Sequence, residues 1–351
     1  MLTSDREFNN IKVHTQYSIC EGAIKIDELA SYCKANKVRA IGLADSYNLC
    51  GALEFAEKIS KVGTQPLIGT QINLSVDNLI GKITLYATSE QGYKNLTKLS
   101  SLSYLKKKDS FEPYCEINDL TLNNRDLIIL TGNYNNFFGK LFYKNKTKHF
   151  EKTIESLNFS FKDRLYIEIQ RHGELKEANY ENYLLTISSK YNLPLIASQE
   201  VFYLNSDMAE AHDALVCIGE KQFLDDQNRF RYSDQHYLKR SEELKKIYKD
   251  IPEALENNYN FPLRFRFKPK KSKPILPSIS DKENISPENL LKDQARKGLE
   301  ERLKNFVFKK NINQSTSQIK KIYEDRLLHE LEIINSMNYS SYFLIVSDYI
   351  R

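Results

Sequence analysis

This chain has few of the residues from which the commoner sites are built. Its 351 residues contain five cysteines, an odd number with no Cys-x-x-Cys pair, which excludes a disulfide framework or a structural zinc site of the usual spacing. Histidine occurs six times, at His14, His149, His172, His212, His236 and His329. No apolar run reaches the roughly 18–20 residues that a membrane helix needs, and Met1–Asn10 has no apolar signal core. A soluble cytoplasmic protein with reduced thiols is expected. There is no Gly-x-x-x-x-Gly-Lys loop, no His-Glu-x-x-His and no Gly-x-Ser-x-Gly; Gly51 and Gly69 stand alone as turn glycines.

What is present is globular. Hydrophobic residues make up 41% and charged residues 28%, and the net charge of +5 is too mild to argue for nucleic acid by itself. Short β-rich runs alternate with segments of helical period. Strands are expected at 11–15, 38–44, 66–74, 82–87, 127–131, 165–169 and 195–197. Helices are expected between them, for example where Ile26, Leu29, Ala30 and Cys33 line one face. Six or more such units predict an α/β fold with largely parallel strands, closed as a barrel.

The character changes near residue 260. Residues 261–273 carry Arg264, Arg266, Lys268, Lys270, Lys271 and Lys273 with no acid, and prolines punctuate the stretch. It reads as a linker, with a phosphate-contacting strip as the second reading. Beyond it, Ser286-Pro287 supplies an N-cap with proline at the first helical position. A further helix is expected from about Ile319 to Met337. The last ten residues, Tyr342 to Arg351, are apolar and lack a capping residue, which predicts that the polypeptide continues.

In an α/β barrel, chemistry sits at the C-terminal ends of the strands. Those ends present His14, Asp45, Gln71, Gly132, Glu168 with His172, and Glu200. Together with Glu21, the imidazoles and carboxylates His14, Asp45, Glu168, His172 and Glu200 are the possible metal ligands. Two readings stand: a single-metal site, or hydrogen-bonded polar residues in a barrel mouth, the second preferred. His149, His212, His236 and His329 are expected away from strand ends as surface or packing residues.

Several motifs now suggest a family. His14-Thr15-Gln16-Tyr17-Ser18, Glu21-Gly22, the run from Ala44 to Gly51, Pro66-Leu67-Ile68-Gly69 and Asp250-Ile251-Pro252-Glu253-Ala254-Leu255 resemble the polymerase and histidinol phosphatase (PHP) domain. In the alpha subunit of bacterial DNA polymerase III that domain opens the chain. Gly298 to Leu303, Glu330 to Ile334 and the block Met337 to Arg351 resemble the entry into that polymerase's palm. The resemblance implies a distorted PHP-type barrel over 1–270, a linker over 271–285, and the start of a mainly helical palm region over 286–351.

It also implies a degenerate metal site. The family's His-x-His positions hold Asn10 and Lys12, its Asp-His-Gly-Asn keeps Asp45 but has Ser46 for histidine, and Gln71, Lys82 and Phe202 stand at further ligand positions. Lysines there oppose cation binding by Coulomb repulsion. No metal or cofactor is then expected in this segment, and His14, Glu21, Asp45, Glu168, His172 and Glu200 are vestigial. The resemblance further implies a DNA-directed DNA polymerase whose palm aspartates and Mg2+ lie outside these residues. Its implied partners are template-primer DNA and deoxynucleotides, a proofreading exonuclease subunit docked on the barrel, and the sliding clamp and clamp loader through other regions. The alternatives are a stand-alone PHP metal phosphoesterase and a non-catalytic replication scaffold.

Overall fold

The computed structural model describes residues 6–105, 112–272, 286–310 and 315–350. The chain divides into two units, 1–271 and 272–351. The expected linker at 271–285 lies, but for its first two residues, outside the described residues.

Among the described residues the first unit carries nine strands: β1 (Lys12–Val13), β2 (Ala40–Ser46), β3 (Gln65–Val76), β4 (Leu79–Ala87), β5 (Cys115–Glu116), β6 (Leu127–Leu130), β7 (Leu165–Gln170), β8 (Leu195–Ser198) and β9 (Glu200–Val201). Their order is β8-β7-β6-β4-β3-β2-β1-β9, with β5 added beside β3. The two ends of this path, β8 and β9, are separated in sequence only by Gln199, so the sheet curls into a nearly closed barrel. All seven residues of β2 are buried, as a strand covered on both faces requires.

Around the sheet run α1 (Ile26–Ala35), α2 (Ala52–Lys61), α3 (Glu90–Leu105), α4 (Ile117–Leu122), α5 (Phe137–Tyr143), α6 (Thr147–Phe161), α7 (Glu177–Tyr191), α8 (Ala209–Glu220), α9 (Ser241–Ile247) and α10 (Pro252–Asn260). The expected face of α1 is the buried one, with Ile26, Leu29, Ala30 and Cys33 in the core. Gly42 is needed where β2 passes the chain entering β1, because a Cβ there would lie 1.9 Å from the Ile11 carbonyl oxygen.

The strands pair largely in parallel, as expected, with one exception: β4 runs antiparallel to both β3 and β6. The cause is local. Asp77 and Asn78 both take positive φ, 47° and 62°, and form a two-residue hairpin between Val76 and Leu79. A loop that short can join only antiparallel neighbours, and Asp and Asn tolerate the left-handed conformation it demands.

The Asp250–Leu255 motif has a structural role. Asp250 and Glu181 hold the Arg171 guanidinium through paired oxygens, and the same group donates to the Ile247 carbonyl at 2.7 Å. This fixes the start of α10 against the end of β7. At the other end of α10, Asn258 is fully buried and bonds Asn9 and the Ala197 carbonyl.

The second unit is helical: α11 (Pro287–Arg302), α12 (Phe308–Lys310), α13 (Thr316–Ser336) and α14 (Ser340–Ile350). A π-helical turn at Leu303–Val307 joins α11 to α12. Ser286 accepts from the Asn289 N–H at 3.4 Å with Pro287 at the first helical position, as expected from sequence. Leu303, Val307 and Ile319 form its small core. The helix expected from about Ile319 to Met337 is α13, on which Ile319 and Leu331 are buried and Ile322 is exposed.

Candidate functional site

All six candidate residues join one polar network at the barrel mouth, buried except at Glu21, whose side chain is partly exposed. Lys12 points into the barrel from β1 and is completely buried. Its ammonium lies 3.4 Å from Glu168 Oε2 on β7 and 3.6 Å from Glu200 Oε1 on β9. His14 Nε2 is 3.1 Å from the same Glu200 oxygen, and Gln71 Nε2 donates to it at 2.6 Å. Asn133 donates to the other Glu200 oxygen at 3.0 Å. Burial alone would raise the Glu200 carboxyl. The Lys12 charge and the His14 hydrogen bond outweigh it and hold Glu200 well below the usual carboxylate range.

Glu168 is satisfied on its other side. Gln170 Nε2 donates to Oε1 at 2.8 Å, and the Ser198 hydroxyl donates to the same oxygen. Nearer the surface, the Lys82 ammonium bonds Glu21 and lies 3.1 Å from Ser46 Oγ, while Ser46 also donates to Glu21. Burial would raise Glu21 and lower Lys82. Their mutual attraction prevails in both, leaving the carboxyl depressed and the ammonium elevated.

Asp45 and His172 serve the backbone. Asp45 accepts from the Thr15 N–H at 2.6 Å, the Thr15 hydroxyl at 2.7 Å and the Ser18 hydroxyl at 2.7 Å, which pins the loop after β1. His172 Nε2 accepts the Glu200 N–H at 3.2 Å, and Nδ1 faces Glu177 at 3.2 Å. Burial and the neighbouring His236 keep the His172 pKa well below that of free imidazole, so the ring is neutral. Its Nε2 lone pair is already engaged.

Two histidines are not where the sequence suggested. His236 stacks on His172 with ring centroids 3.9 Å apart and donates from Nδ1 to the Glu200 carbonyl at 2.9 Å. His212 Nε2 lies 2.7 Å from the Glu21 carbonyl oxygen. Both belong to an aromatic lid with Phe202 and Tyr232 over the strand ends. Neither location had a local signal, since each residue reaches the barrel from a distant helix or loop. Asn133, Gln170 and Ser198 were also missed. Gln170 had a usable signal, because it follows Glu168 by two on a strand and so shares its face.

The arrangement supplies two ammonium groups against the carboxylates of Glu21, Glu168 and Glu200. Lys12 occupies the space between two strand-end carboxylates. Among the described residues, no group of three or more His, Cys, Asp or Glu side chains is arranged to hold a metal ion. Nor is any helix long and apolar enough to cross a membrane.

Replacing Lys82 by Met should raise the Glu21 carboxyl towards and above its usual range. The expected stability loss is about 1–2 kcal/mol for this partly buried pair. NMR titration of the Glu21 carboxyl carbon is the direct check, and an unmoved titration would refute the pairing.

Comparison with known proteins gives a consistent result. Residues 10–172 match the family model of the PHP domain, and 289–351 match that of the bacterial DNA polymerase III alpha NTPase domain. The chain is 34% identical over 354 residues to DNA polymerase III subunit alpha of Caulobacter vibrioides, covering 98% of this chain and 30% of that protein. It is 34% identical to the Rickettsia bellii subunit, again over 98% of this chain and 30% of the relative, and 31% identical to that of Vibrio cholerae, over 99% and 30%. The chain therefore spans about 30% of the length of these relatives. Among solved structures, an amidohydrolase from Chromobacterium violaceum matches 55% of this chain and 87% of its own at 9% identity, with a TM-score of 0.37. A two-domain protein from Bacteroides vulgatus, described as containing a predicted PHP-like metal-dependent phosphoesterase, matches 56% of this chain and 52% of its own at 9% identity, with a TM-score of 0.35.

Proposed function

Because this chain belongs to the bacterial DNA polymerase III alpha subunits and matches their N-terminal region, we propose that it serves a DNA-directed DNA polymerase of chromosomal replication. Template-directed nucleotidyl transfer is then the work of a longer polypeptide, with Mg2+ held by palm carboxylates outside these residues. The 351 residues alone do not polymerise. The barrel is a scaffold in the cytoplasm, on which a proofreading exonuclease subunit docks. Template-primer DNA, deoxynucleotides, the sliding clamp and the clamp loader are the remaining partners.

In this reading the barrel mouth holds no metal. The observation that carries it is Lys12, whose buried ammonium lies between Glu168 and Glu200. A divalent ion in that space would face a fixed positive charge at close range in a poorly screened interior. His172 adds to the misfit, with Nε2 committed to a backbone N–H. The pairing of Lys82 with Glu21 removes another carboxylate from any ligand set. These features favour a scaffold over a stand-alone phosphoesterase.

Two measurements test the proposal. Elemental analysis of the purified chain should find zinc, manganese and iron far below one ion per chain, with no phosphate released from model phosphoesters; stoichiometric metal with turnover would revive the phosphoesterase reading. The intact gene product containing this chain should extend a primed template, and its failure to do so would sink the polymerase assignment.

A further inference from the structure

The chain leaving α10 does not behave as a solvated linker. From Phe265 to Lys270 its side chains alternate: Phe265 and Pro269 are buried and Phe267 is half-buried, whereas Arg266, Lys268 and Lys270 are exposed. Phe265 is in extended conformation, and the Arg266 N–H donates to the Thr88 carbonyl at 2.9 Å. Phe265 meets Tyr86 edge-on at 6.1 Å, and Phe267 lies 5.5 Å from Tyr93 on α3. Both ends are tied by charge. Arg264 pairs with Asp163 at 2.7 Å, and Lys271 with Glu57 at 2.9 Å. The three cations between them have no hydrogen-bond or ion-pair partner among the described residues. From Phe261 to Lys273 there is no acidic residue.

We propose that this strap is a contact surface for a nucleic acid backbone, with Arg266, Lys268 and Lys270 each facing a phosphate. In extended chain, residues two apart on one face stand about 6.6–6.8 Å from one another. That spacing is comparable to the distance between neighbouring phosphates along a strand. The buried aromatics matter because they fix the row, so three long side chains are presented without first having to order the backbone that carries them. They are also unavailable for base stacking. The surface therefore reads phosphate and not sequence, and takes single-stranded and duplex DNA alike.

The inference leans on the proposed function only for the choice of DNA as probe. The assay below reads binding by this chain and not primer extension, so it can fail while the polymerase assignment stands. Fluorescence anisotropy of a labelled mixed-sequence duplex, and of the corresponding single strand, is followed from low to moderate salt. The triple variant Arg266→Gln, Lys268→Gln, Lys270→Gln is compared with a charge-matched control, Lys144→Gln, Lys148→Gln, Lys152→Gln, on another part of the barrel. The strap variant should bind at least ten-fold more weakly at low salt. Its slope of log K against log[salt] on duplex should be shallower by roughly 2–3, the value for three lost phosphate contacts. The control should change affinity less than three-fold. Circular dichroism confirms that both variants keep the parent fold, since all six side chains are exposed or at the surface. Equal losses in strap and control variants would mean bulk charge only and overturn the proposal, as would an unchanged slope. Strap-dependent binding of polyglutamate in preference to DNA would also overturn it, pointing to an acidic protein instead.

Discussion

Replacing Lys12 by Met should destabilise the barrel by about 3–5 kcal/mol and invert its response to pH, because the substitution strands two buried carboxylates face to face. In the parent protein the ammonium sits between Glu168 and Glu200, and all three groups are buried. The depressed Glu200 carboxyl contributes stability that is full above the unfolded carboxylate pKa of about 4.3 and is lost as pH falls through the lower folded value. The parent should therefore be insensitive to this group between pH 5 and 8 and weaken in acid. Without the ammonium, burial and mutual repulsion raise a carboxyl in the folded state. Its contribution is then full below about pH 4.3 and is lost as pH rises through the elevated folded pKa. Urea unfolding across pH 4–8 measures both effects. Met has nearly the length of the lysine stem, so packing changes little and the charge is isolated. Adding Glu168→Gln to the Lys12→Met variant removes one of the opposed charges and should restore much of the loss. Parallel pH profiles for parent and variant would show that Lys12 is not the counter-ion of this site.

Replacing Asn258 by Ala should cost a further kind of stability, about 3–5 kcal/mol, because three buried backbone groups lose their partners at once. The Asn258 side-chain oxygen accepts from the Asn9 N–H at 2.8 Å, and its amide donates to the Asn9 carbonyl at 3.0 Å and the Ala197 carbonyl at 2.9 Å. One side chain thus ties the segment before β1, the strand β8 and the last turn of α10. Asn258→Asp keeps the acceptor towards Asn9 but turns the donor into an acceptor facing two carbonyls, so it should be no better than alanine. Denaturation of both variants, monitored by circular dichroism, settles the size. A loss below about 1 kcal/mol in the alanine variant would mean that this junction relaxes or takes up water, and is not a keystone of the barrel.

These two residues illustrate what was legible before the fold was known. Lys12 and Lys82 could be read as charges hostile to a metal, because that conclusion needs only their side-chain chemistry and the family pattern. The pairings themselves could not be read, since Lys12 and Glu168 are 156 residues apart and Lys82 and Glu21 are 61 apart. Asn258 carried no signal: an asparagine near a helix end has many uses, and only the meeting of Asn9, Ala197 and α10 makes it a junction. The Asp77-Asn78 hairpin was legible in principle, as two residues tolerant of positive φ between apolar runs, and it alone accounts for the reversed β4.

Although Gln71, expected at a strand end, falls in the middle of β3, the sequence by itself determined the alternation of strands and helices, the buried face of α1 and the Ser286–Pro287 helix start. Each of these follows from periodicity or from a local hydrogen bond, interactions that span a few residues and are encoded where they act. Tertiary structure alone decided that His236 would stack on His172, that Asn133, Gln170 and Ser198 would complete the shells of two glutamates, and that a basic segment would lie pinned with its aromatics inward. Those outcomes depend on which strands become neighbours when the sheet curls, and that choice is made by burial summed over the whole unit.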